Sequence, residues 1–336
     1  MYPAMSAAQN IRIQLITVSV GIVLLLIKFY AFKITGSNAI LTDALESIIN
    51  VVAGFVALYS LILANIPTDK NHPYGHGKVE FLSAGFEGTL IFLAGVIICG
   101  KSVYNMFFPH ELSSVDIGLA LTAFAGLINY IMGAVLERRG HKTNSLTMVA
   151  DGKHLKSDAY SSAGLVLGLI IIFFTKVAWI DNVVAMLFGM LISFTGFKVL
   201  RHSVAGIMDE ADDELNSRVI KILNAHRTEN WIDVHNLRII RYGARLHIDC
   251  HLTIPWYYKV REAHEEVDKL EELMAKSFDS NVECFIHLDP CIPEACRFCP
   301  KTACLHRQAE FSHLIEWLPE NVLLNQKHGY QYRNKA

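Results

Sequence analysis

A short polar stretch, residues 151–158, interrupts an apolar part of the chain and holds two residues that could bind a cation. His154 and Asp158 lie four positions apart, so on a helix their side chains share one face. The run 159–174 that follows carries no charge and could continue the same helix through a bilayer. An imidazole and a carboxylate are costly to hold in lipid and are usually retained where they line a pathway or bind an ion.

A second apolar segment, residues 39–64, carries polar side chains at three- and four-residue spacing: Asp43, Glu46, Ser47 and Asn50. With a rise of about 1.5 Å per residue and a hydrocarbon core about 30 Å thick, Asp43 lies at the level of Asp158. Ser47 or Glu46 then lies at the level of His154, and Asn50 is expected about one turn too deep. The two polar stripes can therefore converge on one ion.

Zinc and neighbouring metals accept imidazole nitrogen and carboxylate oxygen in tetrahedral sites. Asp43, His154 and Asp158 supply three such ligands. The alternative is a hydrogen-bonded network that joins the helices of a bundle. Two aspartates and a histidine at one depth favour the ion site, because burying that much charge is costly.

Two further groups have ligand-like spacing. Asp69, His72 and His76 lie in a connecting loop, where the alternative is a polar turn punctuated by Pro and Gly. Four of the seven cysteines cluster near the end of the chain: Cys291, Cys296, Cys299 and Cys304. In a cytosolic segment such a cluster favours zinc over disulfides. An iron–sulfur cluster fits the cysteine count but not a known spacing, and reduced thiols in a flexible tail are the remaining alternative.

Composition indicates a membrane protein with a soluble part. The 336 residues are 52% hydrophobic and 18% charged, whereas soluble proteins carry about 25% charge. The formal net charge of −2 gives no indication of a nucleic-acid partner. Six apolar segments could each span a bilayer: 13–34, 39–64, 81–108, 115–136, 145–174 and 180–200.

Loop charges predict the orientation. Lysines and arginines concentrate in the loops after the second and fourth segments, and the positive-inside rule then places both termini in the cytoplasm. A multi-pass protein of the plasma or inner membrane is the expected location.

The polar part from about residue 208 onward has a regular pattern. Amphipathic helices are predicted over 212–225 and 260–278, and strands over 234–242, 245–254 and 282–288. The order αββαβ is typical of a small open-faced α/β sandwich. We therefore expect a transport domain over 1–207, an α/β dimerisation and metal-binding domain over 208–290, and a Cys-rich extension over 291–336.

Several motifs together resemble the cation diffusion facilitator family of divalent-metal/proton antiporters. They are the polar stripe beginning at Asp43, the loop 71–78, the pair His154 and Asp158, and the end of the last strand at 287–290. The likeness covers about residues 11–290. It implies six transmembrane helices, a metallochaperone-like, ferredoxin-like cytosolic domain, and a homodimer.

The resemblance also assigns residues. The transport site falls on Asp43, Ser47, His154 and Asp158. Ser47 stands where relatives commonly have Asp or His, so Glu46, Asn50 or a water is the alternative fourth ligand. Other implied metal sites comprise the loop residues Asp69, His72 and His76 and the cytosolic residues His235, His251, His264, His287 and Asp289. Lys78 and Asp209 match a charge interlock between subunits.

The predicted function is export of a divalent transition metal from the cytoplasm in exchange for protons, with divalent ions also bound as structural or regulatory ligands. Zinc is favoured, with iron(II), cobalt or cadmium as alternatives. A membrane-anchored metal sensor or scaffold without transport is the other candidate, although an anchor needs no intramembrane ligands. An intramembrane metallohydrolase would need a His-Glu-x-x-His motif, which the sequence lacks, so we expect a transporter and not an enzyme.

Overall fold

A computed structural model describes residues 2–35, 38–107, 116–175, 179–278 and 282–328. Inside these ranges the side chains of 2–6, 31, 32, 34, 35, 38–46, 116–122, 165, 166, 168–175 and 179–181 lie outside the description. The chain forms two compact units, Met1–Met208 and Asp209–Ala336.

In its described residues, the first unit contains six long helices that match the six predicted segments. They are α1 Tyr2–Thr35, α2 Asn38–Ala64, α3 Val79–Phe107, α4 Asp116–Thr143, α5 Leu146–Thr175 and α6 Trp179–Ile207. Each exceeds the roughly 20 residues that a bilayer requires. Within the described residues, four stretches are long and apolar enough to cross a membrane: Ala7–Tyr30, Ser47–Ala64, Val79–Phe107 and Asn182–Ile207.

Helix α5, which carries His154 and Asp158, packs closely against α4. A Cβ atom added to Gly152 would lie 2.7 Å from both the backbone nitrogen of Glu137 and the carbonyl oxygen of Gly133. A Cβ atom on Gly133 would lie 2.6 Å from the carbonyl oxygen of Gly152. Small residues at such crossings let helix backbones approach closely in a membrane. The contact lies half a turn from His154 and sets the position of that residue.

The second unit contains the predicted αββαβ pattern. Its elements are α7 Asp213–Ala225, β1 Asp233–Tyr242, β2 Arg245–Ile254, α8 Val260–Ser277 and β3 Val282–Pro290. The sheet has the order β1-β2-β3, with β1 and β2 antiparallel and β2 and β3 parallel. Both helices bury apolar residues against the sheet: Val219 and Leu223 of α7 and Leu270 of α8 share one core with Leu252 of β2. The expected fold class, a helical membrane domain followed by a small α/β domain, is confirmed.

The segment after β3, expected from the sequence as a Cys-rich extension, packs against the sheet domain. A short 3-10 helix, Pro293–Arg297, is followed by irregular chain and by the single turn α9, Pro319–Val322. Trp317 and Val322 are fully buried in the core of the sheet domain. The side-chain amide of Asn224 donates to the carbonyl of Trp317 at 2.7 Å, and the backbone N–H of Asn236 donates to that of Leu324 at 2.8 Å. Residues 291–328 therefore belong to the α/β unit.

Candidate functional site

A chain of polar contacts joins α2 to α5 inside the membrane unit. The amide nitrogen of Asn50 donates to Asp158 Oδ2 at 2.6 Å, and the amide oxygen of Asn50 lies 3.2 Å from His154 Nε2. An ionised carboxylate only accepts hydrogen bonds, so the amide nitrogen faces Asp158 and its oxygen accepts from the His154 ring. One asparagine thus holds both residues of the predicted pair.

This contact corrects the expected depth of Asn50, which is not one turn too deep. The estimate assumed that each helix begins at the edge of the membrane core. Helix α2 has 27 residues and α5 has 30. At 1.5 Å per residue these helices are roughly 40–45 Å long, longer than the core. Counting from a helix end therefore misplaces a residue by a turn or more.

Ser47 meets a cation from α1. The ammonium group of Lys28 donates to Ser47 Oγ at 2.8 Å, and both residues are buried. Lys28 was not among the predicted site residues. Its signal in the sequence was a lysine within an apolar span, which is costly unless it has polar neighbours. The side chains of Asp43 and Glu46 lie outside the described residues, so the assignment of the fourth ligand stays a prediction.

Glu87 of α3 is a second residue that the sequence analysis missed. Its side chain is fully buried, and its Oε2 lies 3.9 Å from His154 Nδ1. Within the described part of the chain, neither of its oxygens accepts a hydrogen bond. A glutamate within an apolar span was the available signal.

Asp151 adds a further carboxylate one helical turn from His154. It is buried, and its Oδ2 accepts from Gln14 Nε2 of α1 at 2.5 Å. Four helices therefore direct polar side chains toward the interior around His154: Gln14 and Lys28 from α1, Asn50 from α2, Glu87 from α3, and Asp151 and Asp158 from α5.

The loop between α2 and α3 brings its predicted ligands together. Asp69 Oδ1 lies 3.2 Å from His72 Nδ1, and Asp69 Oδ2 lies 3.5 Å from His76 Nε2. The ligand atoms of all three residues lie within 4.8 Å of one another. The backbone N–H of His72 donates to Asp69 and lowers the pKa of its carboxyl, which keeps it ionised at neutral pH.

A second group forms at one end of the sheet. His235 of β1 pairs with His251 of β2, and Asp289 lies near the end of the neighbouring strand β3. Asp289 Oδ2 is 3.1 Å from His251 Nδ1 and 3.4 Å from His235 Nε2. These three residues also offer ligand atoms within 4.8 Å of one another. The rings of His251 and His287 are 4.5 Å apart, so His287 lies beside this group without joining it.

Lys327 and His328, the last two described residues, contact the same group and its neighbour Asp233. Lys327 Nζ lies 2.8 Å from Asp289 Oδ1, and His328 contacts Asp233, whose carboxylate is 3.4 Å from His235 Nδ1. Burial raises the pKa of the Asp289 carboxyl, but hydrogen bonds from Lys327 and His251 outweigh burial, and the net shift is downward. A cation supplied by the chain therefore already neutralises part of this site.

Other predicted residues lie apart from these groups. The side chain of His264 is 71% exposed on α8, where it lies 3.8 Å from Asp268. Lys78 directly precedes α3, and Asp209 follows α6 with a φ of 55°. The expected interlock between these two charges concerns two subunits and stays a prediction.

The four clustered cysteines are free thiols that line one cavity of the α/β unit: Cys291, Cys296, Cys299 and Cys304. Burial raises the pKa of the Cys291 and Cys299 thiols. Among the described residues, only the loop and sheet groups have three ligand atoms within 4.8 Å of one another. The four sulfur atoms are therefore more widely spaced than the ligand atoms of those two groups.

Both units match known families of domains. Residues 15–208 match the cation efflux transmembrane domain, and residues 211–291 match the cytoplasmic domain of cation efflux proteins. The first match alone covers more than half of the chain. The chain belongs to the cation efflux, or cation diffusion facilitator, family.

Related proteins span most of this cation efflux protein. An uncharacterized transporter of Synechocystis is 31% identical over 79% of this chain and 85% of its own length. The cation-efflux pump FieF of Shewanella oneidensis is 26% identical over 82% of this chain and 92% of its own length. Metal tolerance protein C1 of Arabidopsis thaliana is 30% identical over 76% of this chain and 57% of its own length.

Membership settles the general class of activity. The protein is a membrane transporter of metal cations of the cation efflux type, as the motifs around His154 and His72 predicted.

Proposed function

We propose that this cation efflux protein exports a divalent transition metal, with zinc the favoured substrate, in exchange for protons. The observation that carries the proposal is the contact of Asn50 with both His154 and Asp158, beside the buried carboxylate of Glu87. These contacts join α2 to α5, the two helices that carry the predicted ligands.

The hydrogen-bond roles leave a position for a cation. If His154 Nε2 donates to the amide oxygen of Asn50, the neutral ring presents a lone pair on Nδ1. That nitrogen faces a carboxylate oxygen of Glu87 at 3.9 Å, too far for a hydrogen bond. An imidazole nitrogen and a carboxylate oxygen are both donor atoms that a zinc ion can accept. A zinc ion could bind His154 and Asp158 with Asp43 and one further donor.

Competition between protons and metal supplies the coupling. Metal ligands must be deprotonated to bind, so metal entry releases protons and acidification favours metal release. The buried carboxylates of Glu87 and Asp151 add groups that can hold those protons. A site that binds metal and protons in turn can use an inward proton gradient to drive metal outward.

The ligand types support zinc, iron(II), cobalt or cadmium over ions that prefer oxygen alone, because His154 contributes imidazole nitrogen. Ser47 is a weak donor, and Lys28 holds its hydroxyl in a hydrogen bond. Asn50, Glu46 or a water is therefore the stronger candidate for a fourth ligand.

The remaining groups fit regulation by metal. The loop site of Asp69, His72 and His76 and the sheet site of His235, His251 and Asp289 would load from the cytoplasm. We expect a homodimer in the plasma or inner membrane with both termini cytoplasmic, in which metal on the sheet domain favours the conformation that releases metal outward. His264, His287, Lys78 and Asp209 would contribute at the contact between subunits.

Zinc uptake into proteoliposomes tests the transport site. His154→Ala and Asp158→Asn should each lower the initial rate by more than about 100-fold, since outer-shell changes alone cost 10–100-fold. His141→Ala is the matched control, because His141 is an exposed histidine of the same unit. Transport that persists in both site variants would reject this site. Metal binding without any transport by the unmodified protein would favour a sensor or scaffold.

A further inference from the structure

Most residues that line the cavity beneath the cysteine loop follow residue 291, where the match to the cation efflux family ends. Its volume is about 40 Å³. That is enough for an ion together with one or two waters, since one water needs roughly 10–15 Å³ by the same measure. Its lining includes all four clustered cysteines and the ring of His306.

Two of the four sulfur atoms accept hydrogen bonds from neighbouring donors. The backbone N–H of Gln308 donates to Cys296 Sγ at 3.4 Å, and the Tyr257 hydroxyl donates to Cys304 Sγ at 3.6 Å. A thiol is a weak acceptor, whereas a thiolate is the form that such donors stabilise and the form that binds metal.

Arg307 holds the loop in shape. Its guanidinium donates to the carbonyl oxygens of Cys296 at 2.6 Å, Cys299 at 3.0 Å and Lys301 at 2.7 Å. Lys301 also lines the cavity. Four thiolates around one divalent ion carry a net charge of −2, which the Arg307 guanidinium would offset in part, whereas Lys301 already pairs with Glu229 at 3.2 Å. The loop therefore has a defined shape, and one cation, Arg307, lines the cavity beside the sulfur atoms.

We propose that Cys291, Cys296, Cys299 and Cys304 bind one soft divalent ion, of which zinc and cadmium are the best examples. Four thiolates close a tetrahedral site, which is the arrangement of structural zinc. The sulfur atoms lie farther apart than the ligand atoms of the loop and sheet groups, which are within 4.8 Å of one another. Metal binding would therefore draw the irregular segment 300–308 inward. The site stands independently of transport, since it shares no residue with the membrane unit.

Cobalt(II) is the probe that separates this site from the histidine and aspartate groups. Thiolate-bound cobalt(II) has an intense sulfur-to-metal charge-transfer band, which nitrogen and oxygen ligands do not give. Titration of the reduced full-length protein should develop this band to an end point of one cobalt per chain. Added zinc should remove it, because zinc forms stronger complexes than cobalt with such ligands.

Serine substitution localises the band. The double variant Cys296→Ser/Cys299→Ser should lose it, whereas Cys284→Ser, a partly buried cysteine of β3, should keep it. Absence of the band in the unmodified protein, or its survival in the double variant, would overturn the proposal. An iron–sulfur chromophore in protein purified without oxygen would overturn it as well.

A measurement on the unmodified protein covers the case in which the double variant does not fold. Zinc should slow the reaction of four of the seven cysteines with a thiol reagent, and mass spectrometry should map the protection to the cluster. Equal reactivity of these cysteines with and without zinc would contradict the site. Neither result depends on transport, so failure of the transport assay and failure of this proposal are distinguishable.

Discussion

At the scale of single residues, the side-chain amide of Asn50 sets the roles of its neighbours. Its nitrogen donates to Asp158 and its oxygen accepts from His154, so one group orients both predicted ligands. Polar residues that hold metal ligands in place determine affinity almost as strongly as the ligands themselves. Asn50 can act in this way or as a ligand through its oxygen, and both roles make it necessary.

Replacing Asn50 should therefore weaken metal binding. We expect Asn50→Leu to raise the KM for zinc transport by about 10–100-fold, the range found for groups that orient metal ligands. Zinc uptake at a series of concentrations measures the change. Asn65→Leu, near the exposed end of the same helix region, is the matched control and should leave KM within about twofold. An unchanged KM in Asn50→Leu would show that Asn50 neither binds the metal nor orients its ligands.

The sequence indicated part of this site and not the rest, for a physical reason. His154 and Asp158 share one helix, so periodicity alone places them on one face. Glu87 and Lys28 come from other helices, and only the packing of the bundle brings them near the pair. Each was visible as a charge in an apolar span, but no spacing rule connects residues on different helices.

At the scale of elements, the segment after β3 completes the core of the α/β unit. Trp317 is 1% exposed, and the Arg227 guanidinium lies 4.0 Å from the centre of its ring. Periodicity could not predict this packing, because residues 298–318 have no regular secondary structure. By contrast, the helices and strands of the αββαβ pattern repeat their apolar residues at fixed intervals, and the sequence located them within a few residues.

Truncating the buried indole should destabilise the α/β unit. We expect Trp317→Ala to lower its free energy of unfolding by about 3–5 kcal/mol, as is typical of a buried Trp. Denaturant unfolding of the full-length protein, followed by circular dichroism, measures this loss. Trp256→Ala is the control, because its side chain is 54% exposed. Equal effects of the two changes would show that the extension adds little to the core.

The last described residues place a built-in cation on the sheet site. Lys327 binds one oxygen of Asp289 while the other oxygen faces His251 and His235. A metal ion at this group must bind against the ammonium charge or displace it. We therefore expect Lys327 to limit how tightly the proposed sheet site could hold metal.

Removing that charge should increase metal affinity. We expect Lys327→Met to strengthen zinc binding by up to about fivefold, since a partly exposed ion pair contributes up to about 1 kcal/mol. Calorimetric titration measures the gain, and Lys276→Met, which removes an exposed lysine of α8, should give none. The gain should vanish in Lys327→Met/His251→Ala. A gain that persists there would come from another site.

At the scale of the whole molecule, the membrane environment makes the general architecture predictable from the sequence. Lipid requires helices with satisfied backbones and apolar exteriors, so hydropathy locates six segments that the structure confirms. Exposed side chains such as Leu26, Ile97 and Phe194 cover the outside, while polar residues such as Gln14, Glu87 and Asp151 are buried. This inverted distribution places the chemistry of the protein at the interior of the helix bundle.

The central claim is that metal moves across the membrane in exchange for protons at this interior site. The most direct measurement records zinc and proton fluxes together in proteoliposomes that carry the purified protein. With an acidic lumen, zinc should enter while protons leave, and both fluxes should disappear in His154→Ala and persist in His141→Ala. Zinc flux that does not change with the direction or size of the pH gradient, and that moves no protons, would contradict the account.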